Sequence, residues 1–158
     1  MIMNMITAVT QTTRLNALRE HLKVNESEEI EFGEDNHFHF NGNEYEVLLD
    51  DEADERANNY IKESLWAFNA RFIAERMPCA KEMSDRERDA FIEVIKGFQE
   101  KMSEGCNSVF RALIGDNLDA LINEAVYADG RGHFLNTYDG EEQEILFQGV
   151  WYYIYRIN

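Results

Sequence analysis

The sequence predicts an α+β fold in which a small antiparallel sheet from N- and C-terminal hairpins packs against a central helical block of about three to four helices. Two runs of alternating apolar and polar residues lie near the chain ends, and each is interrupted by a two-residue turn signal. Between them, apolar residues recur at intervals of three and four, as in amphipathic helices. The 158 residues, 44% of them hydrophobic, are enough for a single compact acidic domain over 1–158.

The first hairpin is predicted around Asn41-Gly42, the strongest short signal for a tight hairpin turn. A two-residue turn at this point fixes the register as Phe40–Asn43, His39–Glu44, Phe38–Tyr45 and His37–Glu46. One face of the hairpin is then apolar, and the other carries the two histidines and two glutamates. An earlier strand around 29–32 is expected to join the same sheet.

The middle of the chain reads as a series of helices, preceded by a short one over 12–24. Asp50 and Asp51 suit the start of a helix that runs to about Met77, before the only proline. Ser84 and Glu87 match a capping box, which is followed by apolar residues at helical spacing. Two further helices are expected over 107–114 and from about 116 to 130. A second hairpin, with strands 145–147 and 150–157, completes the sheet.

The negative charge is concentrated at the two ends of the chain. The net charge is −16, with −11 in residues 1–55 (3 basic, 14 acidic), +1 in 56–115 (10 and 9) and −6 in 116–158 (2 and 8). Residues 24–55 hold thirteen acids and no Lys or Arg, yet apolar residues are interleaved throughout, which favours a folded acidic surface over a disordered tail. Direct binding to nucleic acid or to an anionic membrane is disfavoured, and a basic partner is expected.

The compartment predicted from the sequence is the cytoplasm. Two cysteines do not make a disulfide framework, residues 1–9 lack the basic region of a signal peptide, and no run approaches the roughly 20 apolar residues of a membrane span. No nucleotide-binding loop, nucleophile elbow or zinc-protease motif is present. We therefore expect no enzymatic activity, no catalytic residues, no metal and no cofactor.

Two polar constellations leave an alternative open, that of a small metal-dependent hydrolase. His37 and His39 project from one strand face towards Glu44 and Glu46, which is a set of metal-ligand types. His133, with Asp129 or Asp139, lies in a second polar stretch that could serve acid–base or metal chemistry. Each constellation also has a purely structural explanation. The hairpin would hold cross-strand His–Glu pairs, and the loop would be a glycine-rich turn anchored by Arg131.

Several segments resemble those of a family of small uncharacterised proteins encoded by bacteriophages and other mobile elements. The similar runs are Tyr45-Glu46-Val47-Leu48, Asp51-Glu52-Ala53, Ala128-Asp129-Gly130-Arg131-Gly132-His133-Phe134-Leu135, Tyr138-Asp139-Gly140-Glu141-Glu142 and Tyr153-Ile154-Tyr155-Arg156-Ile157-Asn158. They cover a minor part of the chain, mostly its C-terminal end. The resemblance implies a mobile-element origin, and with it the cytoplasm of a bacterial host, but it implies no activity.

A compact acidic protein of such origin is expected to inhibit a host defence protein, in the manner of anti-restriction or anti-CRISPR proteins, by mimicking nucleic acid. Carboxylates at i and i+2 on a strand lie about 6.6–6.8 Å apart, comparable to successive phosphates. The residues expected to contact the basic partner are Glu29, Glu31, Glu44, Glu46, Asp50, Asp51, Glu52, Asp54 and Glu55. Alternatively, a partner binds the aromatic C-terminal hairpin through Trp151, Tyr153 and Tyr155. Exposed strand edges also leave a homodimer open.

Overall fold

Strands come from both ends of the described chain and all helices but the first from its middle. The computed structural model describes residues 9–158, so most of the segment examined for a signal peptide, residues 1–8, lies outside the described residues. The helices are α1 (Gln11–Leu22), α2 (Asp50–Ser64), α3 (Ala70–Arg76), α4 (Asp85–Met102), α5 (Asn107–Ile114) and α6 (Leu118–Leu135). The strands are β1 (Glu31–Phe32), β2 (His37–Phe40), β3 (Asn43–Leu48), β4 (Gln143–Phe147) and β5 (Val150–Arg156). The predicted α+β class is confirmed.

The five strands form one antiparallel sheet in the order β1-β2-β3-β5-β4. All four predicted pairs of the first hairpin are present, from Phe40–Asn43 to His37–Glu46. Asn41 and Gly42 have φ angles of 50° and 77°, and the turn of the second hairpin has 51° and 81° at Gln148 and Gly149. Both turns therefore use two consecutive left-handed residues, as a two-residue hairpin with right-handed strand twist requires.

The chain divides into two compact units. The first, which we call the sheet unit, comprises the described residues up to Arg56 together with 130–158; the second, the helical unit, comprises 57–129. In the sheet unit, α1 packs on one face of the sheet, where its Leu18 joins Phe38, Val47 and Ile154 in a core that is almost fully buried. That face is the one the alternation predicted to be apolar. A single domain over the whole chain stays a prediction.

The helix predicted to run from Asp51 to Met77 is interrupted. α2 ends at Ser64, a short 3-10 turn follows, and α3 begins at Ala70. Asn69 restarts the helix because its side-chain oxygen accepts hydrogen bonds from the backbone N–H groups of Arg71 and Phe72. None of the helices in residues 9–158 is long and apolar enough to cross a membrane.

The predicted capping box of α4 is present, with Ser84 and Glu87 exchanging side-chain and backbone hydrogen bonds. Only part of the apolar stripe of this helix faces inward. Ile92 and Ile95 are buried, whereas Val94, Phe98 and Met102 are 52%, 39% and 43% exposed. The described residues thus leave a second apolar row on α4 uncovered.

α6 contains one residue outside helical geometry, Gly130, with φ 78° and ψ 159°. The predicted helix end near Gly130 is therefore a kink, and the helix resumes to Leu135 in what the sequence indicated to be a loop. The resumed turn carries Arg131, the central cation of the candidate site.

We expect substitution of Gly42 by valine to lower the free energy of unfolding by about 1–2 kcal/mol, because a β-branched side chain is strained at positive φ. Gly42→Asn is the matched control, since asparagine tolerates the left-handed region and no atom lies within 4 Å of a Cβ built at this position. Urea unfolding of both variants measures the difference. Equal losses would contradict the assignment of the turn.

Candidate functional site

The nine carboxylates expected to contact a partner do not form one uniform surface. Five of them pair with a basic side chain of the sheet unit: Glu44, Glu46, Asp50, Glu52 and Asp54. The other four are exposed and form no ion pair among the residues that the structure describes: Glu29, Glu31, Asp51 and Glu55. The two groups have to be considered separately.

Glu52 fixes the start of α2. Its two oxygens each accept a hydrogen bond of 2.8 Å from the Arg14 guanidinium, and one oxygen also accepts from the backbone N–H of Leu49 at 2.8 Å. Arg14, which is 6% exposed, additionally donates to the carbonyl of Val47. Burial alone would raise the pKa of the Glu52 carboxyl, but these hydrogen bonds outweigh it and lower the pKa.

Glu46 lies inside the fold, contrary to its expected place on the partner surface. It is 3% exposed, and its Oε1 lies 2.6 Å from Arg56 Nη2 and 3.5 Å from His37 Nε2. Burial raises the pKa of this carboxyl even though Arg56 and His37 oppose the shift. The alternation correctly placed Glu46 on the second face of the hairpin. That face is covered at this end of β3, where Leu48 is also buried.

Arg131 is the centre of a cluster with three carboxylates. Its Nη1 donates to Oδ1 of Asp50 at 2.8 Å and to Oδ1 of Asp54 at 2.9 Å, while Nε and Nη2 form a fork with Glu142, both at 2.9 Å. The guanidinium also lies over the ring of Tyr153, at 4.4 Å from its centroid. Three carboxylates share one cation, so the cluster keeps a net charge of −2.

Burial opposes the charge of Arg131, but the hydrogen bonds that it donates to Glu142 and Asp50 raise its pKa above the ordinary value. Tyr155, which is fully buried, donates its hydroxyl proton to Glu142. Burial, followed by the adjacent Glu142, raises the pKa of this tyrosine. Arg131 and Tyr155 therefore act as fixed hydrogen-bond donors to Glu142.

The glycine-rich stretch around Arg131 has a structural role. A Cβ on Gly132 would come within 2.5 Å of the Gly140 carbonyl oxygen and 2.6 Å of the Glu142 backbone nitrogen. Asn136, which is 5% exposed, accepts hydrogen bonds from the backbone N–H groups of Tyr138 and Asp139 and donates to the carbonyl of Glu141. The close backbone contact at Gly132 and the side-chain hydrogen bonds of Asn136 thus hold the resumed helical turn against the loop before β4.

The histidines proposed for a metal-dependent hydrolase are not brought together. His37 contacts Glu44 through Nδ1 at 2.6 Å and faces Glu46 through Nε2, as in the cross-strand pairing alternative. His133 is exposed and packs edge-on against the Phe134 ring. Across residues 9–158, no group of three or more His, Cys, Asp or Glu is arranged to hold a metal ion.

The aromatic C-terminal hairpin is only partly accessible. Tyr155 is fully buried and Tyr153 lies beneath Arg131, so neither matches its expected place on a binding surface. Trp151 is 50% exposed, and Leu146, its partner across the β4–β5 pair, is also 50% exposed. The available apolar surface of this hairpin is therefore the Leu146–Trp151 pair.

The exposed carboxylates lie at two places in the sheet unit. Glu29 and Glu31, together with His39, line an open polar recess of about 400 Å³ beside β1. On α2, Asp51 and Glu55 lie one helical turn apart on the exposed face. Asp50 and Asp54 extend this row, since their side chains remain 63% and 60% exposed despite the contact with Arg131.

Sequence reasoning named the acids of this site but missed most of their cations. Arg14 and Arg56 were not considered, and Arg131 was considered only as a loop anchor. For Arg14 and Arg131 a usable signal was scarcity, because the acidic ends contain only 3 and 2 basic residues, at 1–55 and 116–158; Arg56 lies just outside them and carried no such signal. An isolated arginine in an acidic segment is a natural candidate for a buried multidentate pair.

Fold and site together define an α+β protein whose sheet unit carries carboxylates that its own arginines only partly neutralise. No protein-family model matches the chain, and no match was found among curated proteins or solved structures. What the protein binds therefore has to be inferred from its own surface.

We expect Arg131→Met to lower the free energy of unfolding by about 2–3 kcal/mol, because it leaves the partly buried Glu142 and its neighbours without a cation. Arg71→Met is the matched control: Arg71 pairs with Asp89, the two side chains are 57% and 70% exposed, and such pairs contribute about 0–1 kcal/mol. Chemical denaturation of both variants decides. Equal effects would show that the Arg131 cluster does not hold the sheet unit together.

We also expect a pH-dependent difference between the wild type and Glu52→Gln. Because the folded-state pKa of Glu52 is lowered from the ordinary 4.5, its contribution is present above pH 4.5 and is lost as the pH falls through the folded-state pKa. The difference in unfolding free energy should therefore be constant at neutral pH and shrink in acid. Glu29→Gln, at an exposed carboxylate with no ion pair among the described residues, is the control for removing one negative charge. A difference that grows in acid would contradict the assignment.

Proposed function

We propose that the protein binds a basic, nucleic-acid-binding protein of a bacterial host's defence and blocks its nucleic-acid site. In this mode of inhibition, carboxylates of the sheet unit take the places of phosphates, as in anti-restriction or anti-CRISPR mimics. The observation that carries the proposal is the exposed row on α2, where Asp51 and Glu55 have no basic partner among the described residues. The cytoplasm of the host cell is the proposed location.

The spacing that supports mimicry is helical, not the strand spacing expected from the sequence. Glu46 is buried, and Glu29 lies outside the two-residue strand β1, so neither i,i+2 pair forms an exposed row on a strand. On α2, Asp51 and Glu55 are separated by one turn, about 6 Å along the axis. Asp50 and Asp54 repeat this spacing beside them.

The recess at β1 offers a second point of contact for a basic partner. Its two carboxylates, Glu29 and Glu31, flank an open polar cavity large enough for an Arg or Lys head group. Carboxylates accept two parallel hydrogen bonds from arginine, the residue that nucleic-acid sites use for phosphates. A groove that presents several arginines would therefore find acceptors at both the recess and α2.

Charge of this size also governs the kinetics of binding. A net charge of −16, concentrated in the segments that form the sheet unit, attracts a basic surface over a Debye length, about 8 Å at physiological salt. Association is then fast at low ionic strength and slows as salt is added. Such salt dependence distinguishes the acidic surface from an apolar one.

A second candidate function is protein binding through the Leu146–Trp151 pair. Both side chains are 50% exposed and adjacent across the β4–β5 ladder, and β4 is an edge strand of the sheet. Half-exposed tryptophans are frequent anchors of interfaces. Binding through this pair would resist salt, in contrast to binding through the carboxylates.

We expect the double substitution Asp51→Lys with Glu55→Lys to abolish capture of the partner in a pull-down from host lysate at low salt. The wild-type bait should release the same partner at high salt, and nucleic acid should compete with the bait for it. Glu100→Lys with Glu104→Lys is the matched control, because these exposed acids have the same separation in sequence and the same change of charge but lie in the helical unit.

Asp51→Asn with Glu55→Gln separates loss of charge from the cost of lysines at a helix N-terminus, and thermal unfolding verifies that each bait is folded. Capture that withstands high salt and is lost in Trp151→Ala would contradict the acidic surface and favour the aromatic pair. Equal loss in the Glu100/Glu104 control would show that only net charge matters, which also contradicts a defined site.

A further inference from the structure

The helical unit carries an exposed apolar surface, the uncovered row on α4. Ala90, Val94, Phe98 and Met102 follow one another at intervals of four, so they form a single ridge along the helix. The last three are 52%, 39% and 43% exposed. Phe91, half-buried, widens the ridge on one side. The inward face of the same helix is complete without these residues, since Ile92 and Ile95 occupy it.

Gly97 lies beside this ridge and has no role in the helical unit that explains it. A glycine inside a helix is unfavourable relative to alanine. No atom lies within 4 Å of a Cβ built on Gly97, so nothing in the described chain requires the missing side chain. The residue instead leaves a gap in the outer surface of α4, next to Val94 and Phe98.

We propose that α4 pairs with α4 of a second copy of this chain, antiparallel, around a two-fold axis at Val94. An axis at this residue places position i of one helix opposite position 188 − i of the other, which follows from antiparallel two-fold symmetry. Phe91 then faces Gly97 of the second copy, and Phe98 faces Ala90. Each aromatic ring meets a small residue, so the ridge of one helix fits the gap of the other.

The charges at the two ends of the ridge agree with the same register. Glu87 lies opposite Lys101 of the second copy, and the pair occurs twice by symmetry. Lys101 is exposed and has no ion pair among the described residues. Glu87 remains charged, because its hydrogen bonds with Ser84 lower the pKa of its carboxyl. An antiparallel pair thus places large residues against small ones and opposite charges against each other.

A second copy is a more suitable occupant than an unrelated basic partner because this region is almost uncharged. Residues 56–115 carry 10 basic and 9 acidic groups, a net charge of +1, whereas the chain as a whole carries −16. The repulsion between two copies is therefore smallest where these helices meet. A contact between two single helices is small, so the dimer should dissociate on dilution and form more readily at moderate salt.

Sedimentation equilibrium over a wide range of protein concentration tests the proposal. The wild type should show twice the 18.5 kDa chain mass at high concentration. Val94→Glu places two carboxylates against each other on the axis and should raise the dimer dissociation constant at least about tenfold. Tyr127→Glu, at a tyrosine of the helical unit that is 92% exposed, is the control and should leave the dimer unchanged.

Gly97→Leu separates dimerisation from folding. A Cβ at this position has no atom of the described chain within 4 Å, and leucine improves helix propensity, so the thermal midpoint measured under monomeric conditions should stay or rise. The same side chain fills the gap that receives Phe91 of the second copy, so the dimer should be lost. A variant that is folded and still dimeric would overturn the proposed register.

Charge exchange provides a test that no folding defect can imitate. Lys101→Glu alone sets Glu against Glu twice, and Glu87→Lys alone sets Lys against Lys twice. Each variant should be monomeric, while a one-to-one mixture should restore a dimer, which native mass spectrometry identifies as the mixed species. A wild type that stays monomeric up to its solubility limit, or a mixture that fails to associate although circular dichroism shows both variants folded, would overturn the proposal.

Discussion

A single guanidinium joins segments of the sheet unit that lie far apart in the sequence. Arg131 forms hydrogen bonds with Asp50 and Asp54 at the start of α2. It also donates to Glu142 before β4 and lies over the ring of Tyr153 on β5. Without it, three carboxylates would lie together with no counter-charge. The acidic composition of this unit is compatible with a stable fold because its few cations are placed where carboxylates converge.

The carboxylates of the sheet unit therefore belong to two populations with different physical roles. Glu46 and Glu52 are held by Arg56 and Arg14, and they serve the interior and the start of a helix. Others, such as Asp51, are exposed and form no ion pair with any described residue. The first population stabilises the folded sheet unit through ion pairs, and the second gives the surface its unpaired negative charge. Net charge alone does not distinguish them, because both contribute equally to the total.

Local signals in the sequence were sufficient to predict the turn and register of the first hairpin. They were insufficient to predict which residues on its two faces are buried. Asn41-Gly42 specifies a tight turn through its own conformational preference, and the turn then fixes every pair in the hairpin. The burial of Glu46 depends on what covers the second face, and alternation within one strand carries no information about that. The capping role of Asn69 was equally hard to predict, because a helix cap within an apolar stripe resembles an ordinary surface residue. The cluster around Arg131 joins residues about 80 positions apart, a separation that only the folded chain reveals.

The division of the chain has a consequence for how the acidic surface comes into being. The helical unit is continuous in sequence, whereas the sheet unit is assembled from segments on either side of the 73 residues from 57 to 129. Closing so long a separation costs more chain entropy than forming local helix contacts. During synthesis, β3 emerges well before β5, its neighbour in the sheet, so its hydrogen-bonding edge stays unpaired until almost the whole chain has been made. Repulsion among the thirteen carboxylates around it then discourages the premature strand pairing by which exposed edges aggregate.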